Sequence, residues 1–118
     1  MPDRKHTPAP HDLLARVRQA TGSDPELDAA ITAGLDPAAL DAGPRPFTRS
    51  VDACLELLHR IRPGWAWHVG WGATGVVPYA TVSRGDHRYE ARASTIPLAL
   101  LDALLQVEIA EATDRGSA

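Results

Sequence analysis

This chain has little of what most often gives a small protein chemistry or a membrane address. It has one cysteine, Cys54, so no intrachain disulfide can form and no paired-thiol metal motif exists. No apolar run approaches the length of a membrane span, and the first residues lack the apolar stretch of a secretory signal; both point to a cytoplasmic setting with no membrane contact. The chain has no excess of positive charge: 12 basic residues stand against 15 acidic ones, a net of -3, which argues against bulk nucleic-acid binding. Lysine is nearly absent. Eleven of the 12 basic residues are arginine, whose planar fork matches carboxylate and phosphate better than an ammonium does.

Charge is unevenly placed. Residues 21–44 carry five acids (Asp24, Glu26, Asp28, Asp36, Asp41) and no base, whereas residues 45–92 carry seven arginines against four acids. At 118 residues the chain is long enough for one domain with an ordinary core. The aperiodic mixture of Pro, His and charge at the start predicts a disordered N-terminal tail over residues 1–11. A single domain over 12–112 and a C-terminal tail over 113–118 follow.

Apolar spacing predicts helices from Asp12 to Gly22, from a capping box at Ser23-Asp24-Pro25-Glu26 to Gly34, and from Thr48 or Ser50 to Ile61. Pro37-Ala38-Ala39-Leu40 reads as one helical turn inside a connector. Three strands come next, Trp65 to Trp71, Val76 to Arg84 and His87 to Arg92, joined by Gly72 to Gly75 and by Gly85-Asp86. Pro78 cannot donate to a ladder, which predicts an edge or a bulge in the second strand. A last helix opens at Ser94 or Thr95 with Pro97 in its first turn. Its Leu98, Leu100, Leu101, Leu104, Leu105, Val107 and Ile109 make a broad apolar side, with Asp102 and Gln106 assigned to water. The order of elements is that of an α+β domain with a three-stranded antiparallel sheet flanked by helices.

All three tryptophans lie within seven residues, Trp65, Trp67 and Trp71, at strand spacing on one face with Val69. Trp65 and Trp67 are predicted to pack in the core under the helix before them. Trp71, between Gly70 and Gly72, is predicted to be reachable.

Several stretches together resemble a known family: the short helix before Gly22, Asp24-Pro25-Glu26-Leu27-Asp28-Ala29-Ala30-Ile31, the helix start Phe47-Thr48-Arg49-Ser50-Val51-Asp52-Ala53-Cys54-Leu55, Pro63-Gly64-Trp65-Ala66-Trp67, and the closing Ala- and Leu-rich helix. They look like the phage ABA sandwich domain, over roughly residues 12–112. The resemblance implies an α/β/α sandwich and a phage or prophage origin. It brings no catalytic residues with it.

Candidate chemistry is sparse. His59, His68, His87 and Cys54 are the only soft ligands outside the N-terminal region, and none has metal-ligand spacing, so no metal, cofactor or catalytic residue is predicted. The glycine-rich stretch Gly70 to Gly75 lies between strands and reads as a turn, not a nucleotide fingerprint. Arg84, His87, Arg88 and Arg92 around the second hairpin, Arg45 and Arg49 near a helix start, and Trp71 form the candidate binding set for an acidic protein surface or a phosphate. The expected function is a small non-enzymatic phage-encoded binding protein, an inhibitor of a bacterial antiviral defence system acting on a host protein. The alternatives are a sponge for a small nucleotide signal, a metal-dependent hydrolase built on His68 and His87, and an architectural homo-oligomer. A homodimer is expected from the surplus apolar surface of the last helix.

Overall fold

In the computed structural model, which describes residues 7–72 and 75–117, the chain forms four α-helices and one antiparallel sheet. Helix α1 covers Pro10–Gln19, α2 Pro25–Leu35 and α3 Val51–Ile61. Strands β1 (Ala66–Trp71), β2 (Pro78–Arg84) and β3 (His87–Arg92) follow, and α4 spans Ile96–Ser117. Short 3₁₀ helices at Pro37–Ala42 and Phe47–Arg49 lie in the connector. No helix among the described residues is long and apolar enough to cross a membrane.

Local chemistry sets the element boundaries. Asp24 caps α2 by accepting from the Leu27 amide at 3.0 Å, with Pro25 in the first turn where its missing N–H costs nothing. Ser50 caps α3 through the Ala53 amide at 3.0 Å, and Thr95 accepts from the Leu98 amide at the start of α4. Gly34 lies inside α2 instead of stopping it: a Cβ there would come within 2.8 Å of Leu13, so the glycine lets α1 and α2 approach closely. Gly85 (φ 60) and Asp86 join β2 to β3 in a two-residue turn that needs a positive φ at its first position. Several boundaries differ from the sequence reading: α1 begins at Pro10, inside the expected tail, and ends at Gln19, short of Gly22; β1 begins at Ala66 and β2 at Pro78, not at Trp65 and Val76; and α4 continues beyond residue 112. Residues 1–6, and part of the expected turn from Gly72 to Gly75, lie outside the described residues.

The sheet order is β1-β2-β3, so β2 is central and both neighbours are edges. Pro78 is therefore on the central strand and not on an edge. It is tolerated because it is the first residue of β2, where its carbonyl still accepts from Ala93.

The α+β class and the three-stranded antiparallel sheet agree with the sequence reading. In space, α4 packs on the sheet, chiefly on β2 and β3, and α1 and α3 pack on the other side of α4. The layers run in the order sheet, α4, then α1 and α3, so helices cover one face of the sheet only, unlike the α/β/α sandwich implied by the resemblance, in which both faces are covered. This position explains why α4 is apolar around its circumference. Leu98, Leu101, Leu105 and Val107 are fully buried and Leu100 and Leu104 nearly so, which means that the leucine surplus is consumed inside one chain and gives no ground for a dimer through this helix.

Asp102, assigned to water by the sequence reading, is 4% exposed. Its carboxylate takes two bonds from the Arg18 guanidinium (3.0 and 3.2 Å) and one from Gln106 (2.9 Å), tying α1 to α4. The hydrogen bond to Asp102 holds Arg18 more firmly protonated than usual. Arg62 is held in the same way by Glu108, just after α3, and Arg60 pairs with the buried Asp36 at 2.6 Å.

Candidate functional site

One face of the sheet meets α4 and the other does not. The register puts Trp67, Val82 and Tyr89 in one cross-strand row and Val69, Ala80 and Ala91 in the next, all on the α4 side. The opposite, open face carries three rows: Ala66, Ser83 and Arg88; His68, Thr81 and Glu90; Gly70, Tyr79 and Arg92. Most of these side chains are exposed, Thr81 in the middle of the face being buried by its neighbours.

The open face is ordered by one aromatic. Tyr79 lies across Gly70, where an added Cβ would meet its ring at 3.2 Å, so the glycine makes room for the tyrosine. The ring stacks on His68 with centroids 5.6 Å apart, and the two side chains share a hydrogen bond of 2.7 Å between Tyr79 Oη and His68 Nε2. Arg88 and Arg92 flank this pair. Arg88 is 70% exposed and its nearest carboxylate, Glu90, is 4.0 Å away, too far for a strong charge-assisted bond. No ion pair is found for Arg92 among the described residues.

Beside Arg92 the surface dips into a cleft of about 500 Å³ between the end of β3, α1 and α4, lined by Arg18, Glu90, Arg92, Asp102 and Gln106. The cleft is polar because Gln106 bridges Asp102 to the backbone carbonyl of Glu90 at 3.1 Å.

The seven residues predicted as one binding set are placed in separate regions. Arg88 and Arg92 share the open face. Arg84 and His87 pair at the hairpin tip with the parity of the α4 side, and both are exposed because α4 does not reach them. Arg45 and Arg49 belong to a different cleft near the start of α2, where Arg45 pairs with Glu56 at 3.2 Å. Trp71 is 59% exposed at the end of β1, as expected for the reachable tryptophan.

The core assignment holds for Trp65, 6% exposed with its ring 6.2 Å from that of Tyr89. It fails for Trp67, 42% exposed, because β1 lies at the margin of the sheet where α4 gives little cover. His68 and His87, the proposed basis of a metal-dependent hydrolase, face opposite sides of the sheet and do not converge. Among the described residues, no group of three His, Cys, Asp or Glu side chains is arranged to hold a metal ion. Cys54 is buried, donates from Sγ to the Phe47 carbonyl at 3.1 Å, and has its thiol ionisation pushed up by burial, with the Asp28 charge adding to the shift.

Sequence reasoning missed Arg18, Asp102, Tyr79 and Thr81. Asp102 did carry a signal, a lone acid inside Leu100-Leu101-Asp102-Ala103-Leu104-Leu105, where a charge among apolar neighbours points to a buried pair. Compared with known proteins, the chain matches no family model, no curated protein and no solved structure.

Proposed function

We propose that this chain is a non-enzymatic binding protein that engages an acidic protein surface with the open face of its sheet. The observation that supports this reading is a sheet face without a helix over it, in which Arg88 and Arg92 stand beside the His68–Tyr79 pair with little or no neutralisation. Guanidinium groups that are not spent on internal pairs favour association with acidic partners and set its rate. The resemblance to phage ABA sandwich domains supports a host partner in the cytoplasm, and with it the inhibition of a bacterial antiviral defence system. A nucleotide sponge is the second reading, favoured by the cleft that brings Arg18 and Arg92 to one rim.

The test is an Arg88→Glu/Arg92→Glu variant assayed for retention of acidic host proteins at increasing salt. Loss of binding with an unchanged melting temperature is expected, because exposed charges contribute little to folding. The wild-type interaction should weaken as salt is added. Full retention by the double variant contradicts the reading. Nucleotide released from the purified wild-type chain and absent from an Arg18→Ala/Arg92→Ala variant would favour the sponge instead.

A further inference from the structure

We propose that two copies of this chain pair through β1 about a two-fold axis at Val69, joining their sheets into one of six antiparallel strands. Edge β1 has an open row of backbone groups. The Gly72 amide donates to the Val77 carbonyl at 2.7 Å, and this sets the phase of the ladder: Ala66, His68 and Gly70 turn their N–H and C=O toward β2. By alternation, Trp67, Val69 and Trp71 direct theirs away from the sheet.

The two edges are protected to different degrees. Strand β3 carries Arg88, Glu90 and Arg92, charges that discourage strand addition. Strand β1 reads Ala66-Trp67-His68-Val69-Gly70-Trp71, with no Lys, Arg, Asp, Glu or Pro and with two exposed indoles. Pairing β1 to β3 of another copy would build an open filament and is opposed by those charges; pairing β1 to β1 closes after two copies.

The occupant is a second copy because β1 is complementary to itself. With Val69 opposite Val69 of the second copy, Trp67 falls opposite Trp71 and Trp71 opposite Trp67. Each of these pairs joins residues whose backbone groups point outward, so all of those groups find partners. A shift of two residues in either direction leaves one tryptophan beyond the paired segment. On the α4 side the four indoles form one apolar ridge, where aromatic cross-strand pairs are favourable. On the open face His68 falls opposite Gly70 of the second copy, a residue with no side chain of its own, over which the Tyr79 ring lies. The strand carries no formal charge with His neutral, so the copies approach without like-charge repulsion. This pairing is independent of the proposed acidic partner and leaves Arg88 and Arg92 uncovered.

Sedimentation equilibrium of the full chain should give twice the monomer mass at high concentration and dissociation on dilution. A Trp67→Thr/Trp71→Thr variant should stay monomeric with an unchanged circular-dichroism spectrum. The register is tested by oxidation in a Cys54→Ala background. Val69→Cys should give a cross-linked dimer, since directly opposed residues in such a pair have Cα atoms about 5.5 Å apart, within disulfide range. Trp67→Cys alone should cross-link poorly, and Trp67→Cys together with Trp71→Cys efficiently. A monomer at every concentration overturns the proposal, as does a dimer that survives the double Thr substitution. If Val69→Cys does not fold, the mass of the wild type and of the double Thr variant decides.

Discussion

The two faces of the sheet are made from the same three strands, yet one is a core and the other a surface. On the α4 side, Ala80 and Val82 are fully buried and Ala91 nearly so; on the open side the same strands present Ser83, Arg88 and Glu90 to solvent. This is the alternation of a sheet packed on one face only. A second gradient crosses the first. Along the α4 side, burial falls from β2 and β3 to β1, because a single helix lies over the sheet off-centre. Trp65 and Trp67 differ for this reason: they have the same parity and are two residues apart, but Trp65 sits under the helical layer beside Tyr89 and Trp67 at its rim. Period-2 spacing specifies the face of a residue, and coverage of that face is a property of the helix above it.

The largest effect that sharpens this contrast should come from Trp65→Ala. Truncating a buried tryptophan costs about 3–5 kcal/mol through lost transfer energy and the cavity left behind, a large fraction of the stability of a domain of this size. Urea unfolding should show the midpoint falling steeply. An effect below about 1 kcal/mol would mean that the face over Trp65 is open like the rest of β1.

Asp102→Ala should come next, because it removes the acceptor shared by Arg18 and Gln106 inside the α1–α4 interface. A cost of about 1–3 kcal/mol is expected from the lost charge-assisted bonds, kept moderate because Arg18 is more than half exposed and regains water. An Arg18→Met/Asp102→Leu pair should recover most of it, since apolar residues of similar size often replace a buried pair at little cost.

How much of this was legible in the sequence depends on distance along the chain. The start of α2 at Ser23-Asp24-Pro25-Glu26, where Asp24 and not the Ser23 of the box is the cap, the cap at Ser50, the Gly85-Asp86 turn and the strand alternation are local, written in neighbouring residues, and they appear in the fold. The pairing of Arg18 with Asp102 spans 84 positions and has no local signature beyond one acid in a leucine run. The layer order was not legible for a related reason: a helix apolar all round is compatible with burial inside one chain or between two, and only the packing of α1 and α3 on α4 decides it. The candidate site was dispersed by the same rule. Proximity in sequence around the hairpin grouped Arg84, His87, Arg88 and Arg92, whereas the register divides them between two faces.

Trp67→Ala then measures the rim. The indole is 42% exposed, so a little over half of its surface is still covered, and the monomer should lose about 2 kcal/mol, less than the Trp65 variant despite the identical change. The comparison has to be made at low protein concentration, where association does not add to apparent stability. Equal losses for the two variants would place Trp67 in the core and contradict the gradient across the sheet.

The smallest effect belongs to the open face itself. Tyr79 contributes a hydroxyl to His68 and a ring to Gly70, and two substitutions separate these contributions. Tyr79→Phe removes only an exposed hydrogen bond that water can replace, so a loss of about 0.5 kcal/mol is expected. Tyr79→Ala also uncovers the Gly70 backbone and the His68 ring, and should cost more. If the Phe variant falls as far as the Ala variant, the hydrogen bond organises this face; if it stays close to the wild type, ring packing over Gly70 does. The second outcome is expected, because an exposed bond exchanges readily with solvent whereas a ring laid across a glycine shields backbone that no neighbouring side chain covers.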